Sequence, residues 1–354
     1  MKQNNRIEWI ELLRVFAIFQ VIMCHIVENT YQMNTEYIPS KISPQSEVFM
    51  FSAFTLGRLG VPFFLMISGY LLLDRTYDFE RTKRFWKNNW LHLLICTEIW
   101  FIIYEIYMKF YLKQEIGVFR VVTDLTFVHW LGMGHVWYMP MILGMYILIP
   151  FAANALRGFH VKHLTFPLIF YSLFVFGFSL LHTVNGAVGT ESLGLQMSLG
   201  FSGGSYGIYM IMGYVIRKGA FKNVKSRVLL ILSVLSFIAG IGLQIWAYAN
   251  NYQYNIWYDC PFILLTSVPV FELFSRNRHV PAYSAVKWLA YYSFAVYLIH
   301  MLFRNMITKW ITTLTFMQPV KVVLFWLLVT VLSYFAAWLL SRIPKIGKYI
   351  LYLK

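Results

Sequence analysis

The chain has 354 residues, of which 59% are hydrophobic and 13% charged, and a formal net charge of +15; its mean hydropathy is +0.59. This balance excludes a soluble globular enzyme: apolar runs long enough to cross a bilayer recur along the whole length, so the fold class is all-α and polytopic. The basic residues fall in short clusters between apolar runs, as cytoplasmic loops facing anionic lipid do, so membrane lipid and not nucleic acid is the expected partner.

In chain order, ten spans are expected near residues 8–27, 48–73, 90–111, 134–153, 164–182, 204–217, 228–249, 258–275, 288–307 and 320–341. The sixth is short and Gly-rich, and begins at an uncertain point. An even number of spans puts both termini on one side. Placing them in the cytoplasm puts there Lys2 and Arg6, the run from Arg75 to Lys87, Arg157 and Lys162, the cluster from Arg217 to Arg227, Arg276, Arg278 and Lys287, and Arg342 to Lys354. The outer segments receive only Lys41, Lys109, Lys113, Arg120, Arg304, Lys309 and Lys321. This threefold bias orients the chain. The outer loop 28–47 is polar, with Pro39 and Pro44, and residues 112–133 are expected along the outer interface as an amphipathic segment. Cys24, Cys96 and Cys260 lie in or beside apolar segments without metal spacing, and are read as packing residues. Lys2 and Arg6 precede the first apolar run, but no small-residue cleavage site follows it, so a retained helix is expected. The whole chain, 1–354, is expected to be one membrane domain without an appended soluble one.

Polar groups inside spans are costly, an arginine by about 2.5–3.5 kcal/mol, and so mark function. The first span carries Arg14 and His25, on one face and about 16 Å apart along the axis. Each has an acid on its own face, Glu11 three residues before Arg14 and Glu28 three residues after His25. Cys24 points about 100° away from His25, which rules against a Cys–His pair. Arg58 in the second span is expected at the depth of His25, beside a kink at Pro62. Arg81 and Arg84, at i and i+3, would present two guanidinium groups to one side, suited to phosphate. His135 and His300 lie at the level of His25, with Arg304 four residues after His300. No HxxxH or HExxH spacing links these histidines, so no metal is expected.

These residues together resemble the acyltransferase-3 family of bacterial integral-membrane O-acyltransferases, over nearly the whole chain. Glu11, Arg14 and His25 follow the family's first-helix spacing, although the family commonly has aspartate at the first position. VPFFLMISGYLLL with Arg58 ahead of it is similar to the second-helix signature, Arg81-Thr-Lys-Arg84 to the RxxR motif, HVWYMP (His135, Trp137) to the His-x-Trp segment, and YLIH, ending at His300, to the late helix. The resemblance implies an acyl-CoA-dependent O-acyltransferase of the bacterial inner membrane, with acetyl-CoA as the leading donor and longer acyl groups left open, and an acceptor hydroxyl on a cell-envelope glycan or lipid-linked saccharide. It implies His25 as general base or acyl acceptor, Arg14 supporting that helix or binding the donor, Arg58 stabilising the carbonyl, and Arg81 and Arg84 holding the CoA phosphates. His135, Trp137 and His300 fall to the acceptor side, and Glu28 is assigned to orient His25 from spacing alone. A saccharide exporter, or a membrane-embedded sensory domain, remains a competing reading of the same intramembrane charges.

Overall fold

A computed structural model describes residues 6–33, 42–129, 131–189, 204–277, 279–344 and 346–353. Lys2, Pro39, Lys41, Arg278, Lys345 and Lys354, used above, lie outside them, as do residues 190–203 ahead of the sixth span. The described residues contain helices and no strand. The helices are α1 (Glu8–Thr30), α2 (Pro44–Gly57), α3 (Gly60–Leu72), α4 (Phe79–Phe85), α5 (Leu91–Phe110), α6 (Val118–Leu125), α7 (Tyr138–Arg157), α8 (Thr165–Ser172) and α9 (Phe178–Val188). After them come α10 (Gly204–Arg217), α11 (Ser226–Ala249), α12 (Pro261–Ser275), α13 (Tyr283–Thr313), α14 (Gln318–Ser341) and α15 (Ile346–Ile350).

Among the described residues, eight stretches are long and apolar enough to span a membrane. The chain is a multi-pass helical membrane protein. The other two expected spans are the shorter helices α10 and α12, of 14 and 15 residues. Residues 112–133 yield only the eight-residue α6 as a helix.

The helix α1 is central. Two thirds of its span is buried, against 6% for the stretch Val161–Val188, which includes α8 and α9. It packs against α13, α2, α3, α14 and α12, with Leu13, Ala17, Ile18 and Ile22 on successive faces, all fully buried. By contrast α11 turns Leu230, Ile231, Leu235 and Ile238 outward, each more than half exposed, as a lipid-facing helix does.

The expected kink of the second span is a two-residue interruption of the helix, and it falls before Pro62. The helix α2 ends at Gly57, Arg58 and Leu59 form a turn, and α3 starts at Gly60. Close packing fixes this break. A Cβ on Gly57 would come 2.7 Å from the Cys24 nitrogen, and one on Gly60 2.6 Å from the Ala17 carbonyl oxygen, so only glycine lets the break lie against α1. Pro62 adds a missing N–H at the start of α3, leaving the Arg58 carbonyl without its helical donor. The third span continues as helix from α4 through a π-helical turn at Trp86–Trp90 into α5. Asp78 starts it, its carboxylate accepting from the Arg81 backbone N–H at 2.7 Å, which sets Arg81 in the first turn.

Candidate active site

His25 lies in the C-terminal half of α1. Its Nδ1 is 2.8 Å from Glu28 Oε2, and Glu28 Oε1 accepts from Arg58 Nη2 at 2.9 Å. Arg58 is only 3% exposed. A guanidinium so far from water needs its charge met on all sides. Glu28 takes one edge, the Tyr258 hydroxyl accepts from Nη1 at 3.3 Å, and the rings of Trp257 and Phe54 lie 4.2 and 4.5 Å from the guanidinium carbon. Its Nε–H is buried without a partner.

The hydrogen bonds assign the tautomers of three histidines. Glu28 accepts, so His25 Nδ1 carries a proton, and in the neutral ring Nε2 is the acceptor. The Tyr104 hydroxyl donates to the Leu298 carbonyl at 2.6 Å, which uses its only proton, so it accepts from His135 Nε2 at 3.1 Å. His135 Nδ1 is thereby unprotonated, buried and unpartnered. His300 Nδ1 donates to the Tyr297 carbonyl at 2.7 Å, and its Nε2 is likewise buried and unpartnered. The three rings form one group: His25 to His300 is 5.5 Å between centroids, His135 to His300 5.1 Å and His25 to His135 6.4 Å. Each has its donor side turned to the protein and an acceptor nitrogen free. Such an arrangement can accept a proton from an incoming hydroxyl. Among the described residues no group of three or more His, Cys, Asp and Glu is disposed to hold a metal ion.

Trp137 belongs to the Arg58 side of this cluster. Its ring lies 5.3–5.8 Å from Tyr206, Tyr258 and Trp257, making an aromatic wall one residue deep beside the ion pair. Tyr206, Tyr258 and Trp257, like Tyr104 and Tyr297, were not singled out from the sequence. In a chain with 24 tyrosines and 12 tryptophans, an aromatic residue near a span end reads as an interfacial anchor.

The other expected site residues lie toward the N-terminal end of α1 and on α4. Arg14 Nη1 donates to Glu11 Oε1 at 3.0 Å, and Arg6 lies 3.8 Å from the same carboxylate. All three line a cavity of about 250 Å³ that runs between α1, α3, α7 and α13, past Ser68 and Tyr146, to Val21, Val61, Tyr138 and Tyr297. Val21 is one helical turn short of His25, and the Tyr297 ring is 5.5 Å from that of His135. Arg81 and Arg84 are exposed on α4, with Arg81 Nε 3.4 Å from Asp78; neither lines this cavity.

A family model described as an acyltransferase domain matches residues 7–342. The chain belongs to this acyltransferase-3 family. The match covers His25, Arg58, both cytoplasmic arginine groups and the α13 histidine, and the protein is a membrane acyltransferase. Comparison with curated proteins and with solved structures gave no match.

Proposed function

We propose that this acyltransferase moves an acetyl group from cytoplasmic acetyl-CoA to a hydroxyl of a cell-envelope glycan or lipid-linked saccharide, in the bacterial inner membrane, with His25 as general base. The observation that carries this reading is the chain His25–Glu28–Arg58: a carboxylate holds the imidazole proton on Nδ1 and leaves Nε2 to take another. The acceptor O–H gives its proton to Nε2 as the oxygen attacks the thioester carbonyl. Collapse of the tetrahedral intermediate then breaks the C–S bond, and the Nε2 proton passes to the departing thiolate. The positive charge that develops on the His25 ring is met by Glu28. One N–H of each Arg58 Nη is committed, to Glu28 and to Tyr258, and the Nε–H, buried without a partner, is a donor available to the oxyanion.

The cytoplasmic cavity supplies the route for the thioester arm. Arg14 marks its mouth, and Tyr138 and Tyr297 line its deep end; these two side chains must turn aside for the thioester to reach His25. Arg81 and Arg84 approach the donor's phosphates from α4, while His135, His300 and Trp137 receive the acceptor.

The test is transfer of radiolabelled acetyl from acetyl-CoA by the purified protein in nanodiscs, with an envelope glycan extract as acceptor. His25→Ala is expected to abolish transfer while the protein elutes as the wild type does. Transfer surviving in that variant removes His25 from the chemistry, and an absence of acetyl transfer by the wild type removes acetyl-CoA as donor.

A further inference from the structure

A second cavity, of about 290 Å³, follows the first along the same pair of helices. The first is walled by Val61, Phe64, Ile67 and Ser68 of α3 and by Tyr138, Ile142 and Tyr146 of α7. The second is walled by Leu73, Asp74 and Arg75, just beyond α3, and by Ala153 and Arg157 at the end of α7, with His160 after it. From Ser68 to Asp74 is about 9 Å of rise toward the cytoplasm. The lining changes character over that step, from mostly aromatic and aliphatic to one in which Asp74, Arg75, Arg157 and Lys218 stand among apolar side chains.

Its charges are unequally matched. Asp74 is taken by Arg217 Nε at 2.7 Å and by Lys218. Arg75 spends Nε on the Leu71 carbonyl at 2.7 Å, which leaves its two terminal nitrogens without a carboxylate. Arg157 has no ion-pair partner among the described residues. His160 Nδ1 accepts from the Lys162 backbone N–H, so its Nε2 carries a proton. Two free guanidinium groups and an imidazole N–H on one concave surface are a donor set for a dianion.

We propose that this cavity binds the ribose phosphate of the nucleotide end of the acyl donor, with Arg75 and Arg157 as its ligands. The inference rests on the acyl-CoA reading given above. A CoA-type donor carries two separate anionic groups, a diphosphate and a phosphomonoester. Arg81 and Arg84 offer one site and this cavity a second, beyond the mouth through which the thioester arm enters. The seam between α3 and α7 then holds the donor end to end, its uncharged arm in the first cavity and its far phosphate in the second.

The same chemistry would suit the phosphate of an anionic lipid headgroup at the cytoplasmic interface, so the experiment separates the two. Equilibrium binding of CoA and of dephospho-CoA is measured on the purified wild type and on Arg75→Gln/Arg157→Gln, in nanodiscs of phosphatidylcholine alone and with phosphatidylglycerol added. The wild type is expected to bind CoA about ten- to hundredfold more tightly than dephospho-CoA, the range of one or two charged hydrogen bonds. The double variant should bind both alike, and its KM for acetyl-CoA should rise by the same factor with kcat unchanged. Equal binding of the two forms by the wild type overturns the proposal, as does an equal loss for both in the variant. Discrimination that vanishes when phosphatidylglycerol is present assigns the cavity to lipid and also overturns it. If the wild type discriminates as expected yet transfers no acetyl, the phosphate site stands and the transfer reading falls.

Discussion

The two ends of α1 carry the same device with different consequences. Near the cytoplasm, Glu11 and Arg14 stand three residues apart and are joined by a 3.0 Å hydrogen bond, with the arginine side chain 32% exposed. Near the outside, His25 and Glu28 stand three residues apart and are joined at 2.8 Å, but here the acid also takes the 4%-exposed Arg58 from a neighbouring segment. At the Arg14 end the arginine can turn to water, and the buried Glu11 has Arg6 as a second cation 3.8 Å away, so neither contact is indispensable. At the dry end the break between α2 and α3 has brought a guanidinium where no water reaches, so the acid is required by two partners at once. Spacing along one helix sets up a pair; the packing of a second chain segment decides whether the pair is obligatory.

The sharpest way to break this comparison is Glu28→Gln. The amide keeps the shape but removes the acceptor strength that holds the His25 proton on Nδ1, and it cannot meet an imidazolium. Acetyl transfer should fall by roughly 10²–10⁴, the usual worth of positioned proton transfer. Glu11→Gln at the other end of the helix should leave the rate within the scatter set by donor binding. Comparable losses in the two variants would mean that Glu28 acts only as a packing group.

Arg58→Gln tests stability where Glu28→Gln tests chemistry. Breaking one partner of a buried ion pair costs about 3–5 kcal/mol, while loss of the partly exposed Arg14 leaves the Glu11 carboxylate with Arg6 3.8 Å away. Thermal unfolding in detergent should therefore drop markedly for Arg58→Gln and barely for Arg14→Gln. The double variant Glu28→Gln/Arg58→Gln should recover part of the loss, because no uncompensated charge is left. If its two losses simply add, the pair is not coupled as the 2.9 Å contact requires.

How much of this could be read from the sequence follows from the same contrast. The cost of charge in a membrane picks out Arg14, His25, Arg58, His135 and His300 from the chain alone, and helical periodicity pairs His25 with Glu28. The topology follows from loop charge. What spacing does not carry is the third dimension between segments. Nothing in the sequence says that Arg58 sits at a break, because the reason is the fit of Gly57 and Gly60 against the Cys24 and Ala17 backbones. Nor does it say that Tyr104, Tyr258 and Tyr297 are the hydrogen-bond partners that fix the histidine tautomers and hold the arginine. One tyrosine among 24 acquires a role only when its hydroxyl meets a particular carbonyl. The cavity between Arg75 and Arg157 is hidden for a related reason: Arg75 just past α3 and Arg157 at the end of α7 sit at span ends, where topology alone explains basic charge.

The smallest effect concerns Asp74, which closes the cytoplasmic end of the α3–α10 pair. Those helices meet through glycines, Gly69 against the Met210 carbonyl and Gly213 against the Met66 carbonyl, so their ends are held close and the acid falls among bases. Burial pushes the Asp74 carboxyl up, but the hydrogen bonds and charges of Lys218 and Arg217 outweigh it and hold the group below its ordinary range. A depressed carboxyl stabilises the fold at any pH above the unfolded value, about 3.9, and loses that contribution as pH falls through the folded one. The difference in unfolding temperature between wild type and Asp74→Asn should thus hold steady from neutral pH down to about 5 and shrink below about 4. It should also narrow in high salt, because the pair is partly exposed. A difference that instead widens on acidification would mean that Asp74 is held by its neutral form, and that Arg217 and Lys218 are free to join Arg75 and Arg157 as cations of the second cavity.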